Sequence, residues 1–313
     1  MTKIYLLGDS IVTAYGKDSE NFIGGWGDHL GCYFDENVEV IPCAEGGKST
    51  RSYLNDGRFI DNGKFTKDMF PYGVGPCYDL IESGDYVLIE FCHNDDDSDR
   101  LEKRELRHTP LGEPDENGVY PSIMPVGETP YSFDCGATYK GFLKYYIKNI
   151  REKGACPVLV TPPPRGYFED GKIASLPGNH GGSDRFGDYA YVRAMRQIGE
   201  EEDVPVIELF ERAKDFINEL GEERFKYIQS IKDSEGKTIG EARLGRPKHW
   251  VDEYDEIIEN GAYDLDNTHQ NRYGSYIYAG FIADEIKKKI PGLSQYITER
   301  PRKVVDKPKG LKF

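Results

Sequence analysis

Lys3-Ile4-Tyr5-Leu6-Leu7-Gly8-Asp9-Ser10, near the start of a 313-residue chain, is the stretch on which the fold turns. A short, largely apolar run ends abruptly in a small polar turn, the signature of a buried strand. The turn leaves a serine hydroxyl at that strand's carboxyl end. Similar runs recur at Val38–Ile41, Tyr86–Phe91, Val158–Thr161 and Val204–Leu209. Helix-period segments lie between or after them. Phe142, Leu143, Tyr146 and Ile147 share a face of Tyr139–Arg151, and Ala190, Val192, Met195 and Ile198 share one of Tyr189–Ile198. Ile277, Ala279, Ile282 and Ile286 mark a last helix over Arg272–Lys289. Alternating strands and helices predict an α/β fold with a parallel sheet covered on both faces. Such sheets place ligands at the carboxyl ends of their strands.

Composition narrows the choice. Hydrophobic residues are 38% of the chain, which supports a sizeable core and excludes disordered and fibrous classes. A net charge of −15 opposes binding to nucleic acid or to anionic lipid. The one basic cluster is the tail, Arg300, Arg302, Lys303, Lys307, Lys309 and Lys312, read as a solvated strap. No apolar run approaches the roughly 18 residues of a membrane span, and Lys3–Leu7 reads as a core strand with no signal peptide ahead of it. The six cysteines lack CxxC spacing, and Asn-x-Ser/Thr is absent. Together these predict a reducing, cytoplasmic setting with no nucleic-acid or membrane partner.

Two polar stretches interrupt the alternation, at about 96–136 and 226–263. Both are longer than an ordinary βα connection. They read as insertions at the rim of one domain spanning residues 1–295, with 296–313 as the basic tail.

Three polar clusters follow predicted strands. Gly8-Asp9-Ser10 presents a hydroxyl beside the positive end of an expected helix, where a serine can act as nucleophile or merely as a helix cap. Glu45-Gly46-Gly47-Lys48-Ser49-Thr50 ends like a phosphate loop, but Pro42 occupies the position of the first glycine and Glu45 would oppose a phosphate. Its glycines suit an exposed backbone N–H, an oxyanion donor. His93-Asn94-Asp95 brings an amide toward the same region. The acidic run Asp95–Asp99 lacks the spacing of a calcium loop and reads as a solvated loop. Late in the chain, Asp266-Asn267-Thr268-His269 sets a carboxylate three residues before a histidine. There it can hold Nδ1–H while Nε2 faces a serine, or Asp266 or Thr268 can simply cap the final helix. His29, His108, His180 and His249 show no such partner. HExxH, paired CxxC and GxSxG are absent.

The combination resembles the SGNH (GDSL-type) hydrolase family. Gly8-Asp9-Ser10, Gly47, Asn94 and Asp266-x-x-His269 match its first, second, third and fifth blocks. Within that family it is most similar to rhamnogalacturonan acetylesterases and related carbohydrate esterases, through Gly25-Trp26-Gly27, Gly47–Tyr53, Asp56–Phe59, Gly84–Val87, His93–Asp95, Thr161-Pro162 and Asp266–His269. The likeness covers about residues 3–100, 138–212 and 264–288. Cys92 departs from it, standing where the third block usually has glycine.

The resemblance implies a flavodoxin-like α/β/α sandwich with five parallel strands and O-deacetylation of an acetylated oligosaccharide or polysaccharide, pectin-derived (rhamnogalacturonan) above all. Ser10, Asp266 and His269 are the expected catalytic residues. The Ser10 and Gly47 N–H groups with the Asn94 amide form the expected oxyanion hole. Neither a metal nor an organic cofactor is expected. Arg51, Arg165 and Trp250 are candidate sugar-binding residues. Lys48, Arg51 and Arg58 could meet a uronate carboxylate or hold the loops together. Two rivals remain: a lipase, thioesterase or acyltransferase on the same scaffold, and a carbohydrate-binding protein without turnover.

Overall fold

Five parallel strands form the centre of the computed structural model, which describes residues 1–16, 22–65, 73–98, 101–232, 250–261 and 263–312. Asp99, Arg100, His249 and residues 233–248 of the second polar stretch lie outside the described residues. The strands are β1 (Thr2–Gly8), β2 (Val38–Pro42), β3 (Tyr86–Glu90), β4 (Cys156–Val160) and β5 (Val206–Ile207), in the spatial order β2-β1-β3-β4-β5. This is the flavodoxin-like order expected.

Ile4, Leu6 and Leu7 are fully buried and Tyr5 nearly so, because both faces of β1 are covered. The alternation of side chains along a strand sorts them into two layers. Tyr5 and Leu7 join Phe91, Phe142, Tyr146 and Met195 on one face. Ile4 and Leu6 join Trp26, Val158, Tyr278 and Ile282 on the other.

Helix α1 (Thr50–Asn55) follows β2, and α2 (Leu101–Leu106) lies in the first polar stretch. Helices α3 (Tyr139–Glu152) and α4 (Ala190–Glu201) cover the first face; α5 (Leu209–Leu220) helps cover the second. Helix α5 replaces the end of the expected fifth strand. Leu209, Phe210, Ala213, Ile217 and Leu220 fall at helical spacing and are buried, and Thr161 Oγ1 accepts the Phe210 N–H at 2.9 Å.

The second polar stretch is more regular than its charge suggests. It carries strand β6 (Gln229–Lys232) and helix α6 (Trp250–Asn260). Strand β6 pairs antiparallel with β7 (Asp264–Gln270), so Asp266–His269 lies on a strand where the sequence suggested a polar turn. The helix expected over Arg272–Lys289, α7, is capped by Asn271, whose side chain accepts the Gly274 N–H, and not by Asp266 or Thr268.

The basic tail is strapped down more firmly than a solvated segment. Val305 and Leu311 are buried, and Lys309 Nζ lies 2.7 Å from Asp252. Among the described residues no helix is long and apolar enough to cross a membrane.

Candidate active site

Glycine at position 8 lets β1 and β3 end side by side. A Cβ there would lie 2.5 Å from the Glu90 carbonyl oxygen and 2.3 Å from Val12 Cγ2. Beyond it, Asp9 Oδ1 accepts the Ile11 N–H at 2.9 Å, and the Asp9 carbonyl accepts from Val12 and Thr13. The expected helix then fails to form. The carbonyls of Ile11 and Val12 instead accept the N–H groups of Trp26 and Gly27, at 2.9 and 3.1 Å, from a crossing segment. Ser10 therefore sits on a single turn, without a helix dipole behind it.

The hydroxyl of Ser10 lies 2.9 Å from His269 Nε2, and His269 Nδ1 lies 2.9 Å from Asp266 Oδ2. The second oxygen of Asp266 accepts the backbone N–H of Thr268 at 2.9 Å and of His269 at 3.1 Å. Burial pushes the Asp266 carboxyl up, but the His269 hydrogen bond and charge, with the Thr268 N–H, outweigh it and hold the group well below the usual carboxylate range. Asp266 is thus an ionised acceptor in three directions.

Gly47 adopts φ +78°, a left-handed conformation that disfavours any side chain. Two residues on, Ser49 caps α1 by accepting the Ser52 N–H. The third cluster braces the second. Asp95 Oδ1 lies 2.5 Å from Thr50 Oγ1 and 3.1 Å from Thr50 N, while Asn94 Nδ2 donates to the Lys48 carbonyl at 2.8 Å. Burial outweighs the hydrogen bonds from Thr50 and Thr109, and pushes the Asp95 carboxyl up to about 7.

Asn94 keeps a second amide hydrogen, and the backbone N–H groups of Ser10 and Gly47 have no hydrogen-bond partner among the described residues. Ser10, Gly47, Asn94, Asp266 and His269 all line one cavity of about 600 Å³.

Cys92 fits where glycine was expected because its thiol meets a buried acceptor. Its Sγ lies 3.1 Å from His180 Nδ1, whose other ring nitrogen lies 2.8 Å from the Pro163 carbonyl. Asp95–Asp97 of the acidic run are not a solvated loop: Asp95 is fully buried, Asp96 accepts the Gly181 N–H at 2.9 Å, and Asp97 pairs with Arg107 at 2.5 Å.

Of the candidate sugar-binding residues, only Arg165 lines this cavity. Its guanidinium bridges the site, donating to the His93 carbonyl at 2.7 Å and to Thr268 Oγ1. Arg51 is 2% exposed and donates to the carbonyls of His108, Tyr131, Arg104 and Glu105, so it anchors the first polar stretch. Trp250 is buried against Tyr254 in a separate cluster. Lys48 and Arg58 are paired with Asp56 and Glu45.

Sequence reasoning missed Tyr15, whose hydroxyl donates to the Ser10 carbonyl at 3.2 Å, and Lys232, 3.9 Å from Asp266 Oδ1. Arg107 and Tyr167 also line the cavity. None of these lies in a matching block, so only their place in the fold reveals them.

Fold and motif blocks together are those of a carboxylic ester hydrolase of the SGNH type. No family model matches the chain. It is 34% identical over 221 residues to the probable rhamnogalacturonan acetylesterase YesY of Bacillus subtilis, covering 71% of this chain and 76% of that one. It is 31% identical over 227 residues to rhamnogalacturonan acetylesterase RhgT of the same organism, covering 72% of each. The chain belongs to the rhamnogalacturonan acetylesterase family. Among solved structures, protein YxiM of Bacillus subtilis has the same fold, with a TM-score of 0.56 at 20% identity, covering 92% of this chain and 56% of that one.

Proposed function

We propose that the protein is a serine esterase that releases acetate from an O-acetylated carbohydrate, with a pectin-derived rhamnogalacturonan oligosaccharide as its substrate. One observation carries the reading: the unbroken relay from Asp266 through His269 to Ser10, with 2.9 Å at each step. In this reading Ser10 Oγ attacks the acetyl carbonyl while His269 Nε2 takes its proton, and Asp266 holds the ring with Nδ1 protonated. The oxyanion of the tetrahedral intermediate meets the N–H groups of Ser10 and Gly47 and the second amide hydrogen of Asn94. His269 then passes the proton to the departing sugar oxygen. Water, deprotonated by the same histidine, attacks the acetyl-serine, and Ser10 regains its proton as acetate leaves.

The names of the relatives support the sugar substrate. The cavity supports a small acyl group, because Asp96, Asp97, Lys103, Arg107, Arg165 and Lys232 leave little apolar wall for a long chain. The working compartment in this reading is the reducing cell interior, which suits Cys43, Cys77 and Cys92 as buried free thiols.

The test measures acetate release from acetylated rhamnogalacturonan and acetylxylan by the wild type and by Ser10→Ala. The expected result is release from the pectic substrate first, and a loss of about 10⁴–10⁶ in kcat for Ser10→Ala with an unchanged circular dichroism spectrum. Near-normal turnover by Ser10→Ala would overturn the mechanism.

A further inference from the structure

At the cavity wall, which His93 lines and behind which Asp9 and Glu90 lie, the three side chains each turn one polar atom toward a common point. Asp9 Oδ2, Glu90 Oε1 and His93 Nδ1 lie within 4.8 Å of one another. The imidazole nitrogen is 3.6 Å from the Asp9 oxygen and 3.8 Å from the Glu90 oxygen. All three side chains are at most 2% exposed, and these three atoms have no hydrogen-bond partner. The other polar atom of each residue is committed. Asp9 Oδ1 accepts the Ile11 N–H, Glu90 Oε2 accepts Trp26 Nε1–H at 3.2 Å, and His93 Nε2 lies 3.1 Å from the Pro163 carbonyl.

A carbonyl can only accept, so Nε2 carries a hydrogen. Burial pushes the His93 pKa down, against the pull of Asp9, and so favours the neutral ring with a lone pair on Nδ1. With both carboxyls ionised, three acceptors would then face one another away from water, which neither charge nor hydrogen bonding allows. A divalent cation would relieve this, and a histidine whose far N–H meets a carbonyl suits a metal. The cluster supplies only three ligand atoms among the described residues, however, while closed zinc sites take four and calcium six or more. A single proton asks for no further ligand.

We propose that Glu90 is a neutral carboxylic acid whose hydrogen points into the gap between Asp9 Oδ2 and His93 Nδ1, and that this buried proton, by removing one of two facing charges, holds the loop carrying Ser10 against the loop carrying Asn94. The connection along the chain is direct. Asp9 precedes Ser10, His93 precedes Asn94, and Glu90 ends β3 in register with Gly8. Burial first, and the Asp9 carboxylate second, push the Glu90 carboxyl well above its usual range. Other groups facing the cluster are Trp26 from the crossing segment, Asp95 from the loop after β3, Arg165, His269 on β7, and His180, whose ring meets His93 edge-on at 4.6 Å. Glu90 is a positioning residue that acts through Asp9 and His93, and its kinetic consequence rests on the function proposed above.

Infrared difference spectra of the resting enzyme, wild type minus Glu90→Gln at neutral pH, test the proton directly. The expected result is a protonated-carboxyl C=O band present in the wild type and lost in the variant. In kinetics, Glu90→Ala should lower kcat by about tenfold or more with little change in KM, and Glu90→Gln, which keeps the shape and donates hydrogens, should recover all but about threefold. The proposal is overturned by absence of the band, by a glutamine variant as damaged as the alanine one, or by a stoichiometric divalent metal in the purified protein. If Glu90→Ala does not fold, the band and the Glu90→Gln kinetics decide. The band is read without substrate, so it still tests the proton even if Ser10→Ala proves active and the site reading fails.

Discussion

Replacing Asp266 with asparagine tests the proposed relay more sharply than deleting it, because the structure dictates which way the new amide must face. Asp266 Oδ1 accepts two backbone N–H groups, from Thr268 and His269. An asparagine keeps its carbonyl oxygen there and so turns its NH₂ toward His269 Nδ1. That nitrogen must then accept, which moves the ring hydrogen to Nε2 and points a donor at Ser10, so the base is lost. Two terms set the size of the effect. Stabilisation of an imidazolium by a carboxylate about 4 Å away, at an effective dielectric near 20, is about 4 kcal/mol. Recovering the reactive tautomer leaves two donors opposed, at about 1–3 kcal/mol. The sum of about 5–7 kcal/mol corresponds to roughly four to five decades of kcat. The lower end is expected, because the His269 side chain is 26% exposed and solvent screens part of the first term. Hydrolysis of 4-nitrophenyl acetate, with circular dichroism as a fold control, measures it. A loss under about tenfold would refute the claim that Asp266 sets the tautomer.

Asn94→Ala removes one proposed oxyanion donor and should lower kcat by about 10²–10³; a change confined to KM would reassign Asn94 to substrate binding. Activity should fall from acetyl to butyryl to octanoyl esters, since the cavity offers little apolar surface to recover about 0.8 kcal/mol per methylene; faster octanoyl hydrolysis would favour a lipase. Asp95, raised to about 7 in the folded state, contributes stability that is complete below the unfolded value of about 4 and is lost as pH rises through 7. Thermal melts across that window should therefore show Asp95→Asn flattening a slope worth up to about 4 kcal/mol, and an unchanged slope would show that Asp95 titrates normally.

The central sheet was legible because its strands are buried on both faces, so the apolar runs need no tertiary context to be recognised. Elements whose form depends on a distant partner were not. Asp264–Gln270 has no clean apolar alternation, and it is a strand because Gln229–Lys232 runs antiparallel beside it. In α6, Trp250, Val251, Tyr254 and Ile258 do form a buried face, but the surrounding Asp252, Glu253, Asp255 and Glu256 hid it within a charged stretch. The arginines show the same limit. An arginine that binds a sugar and one that anchors a loop read alike, and the carbonyls that occupy Arg51 are 53 to 80 residues away.

The candidate site residues were legible for the opposite reason: each pairing of chemistry falls within a few residues, the parallel sheet brings the first three blocks together, and the antiparallel β6–β7 pair carries Asp266 and His269 to them. One element of that expectation failed, namely the helix behind Ser10, and its loss costs the proposed chemistry little. A helix terminus offers an adjacent anion about 0.3–1 kcal/mol near a surface, whereas one aimed oxyanion donor is worth about 2.7–4 kcal/mol. The proposed oxyanion hole thus depends on holding discrete donors in place, and the hydrogen bonds around it do that. Asp95 fixes Thr50, Asn94 grips the Lys48 carbonyl, Tyr15 bonds the Ser10 carbonyl, and Arg165 joins the His93 carbonyl to Thr268. These bonds link the segments carrying Gly47, Asn94 and His269 and brace Ser10, which makes the rigidity of the loops, more than a macrodipole, the source of the proposed preorganisation.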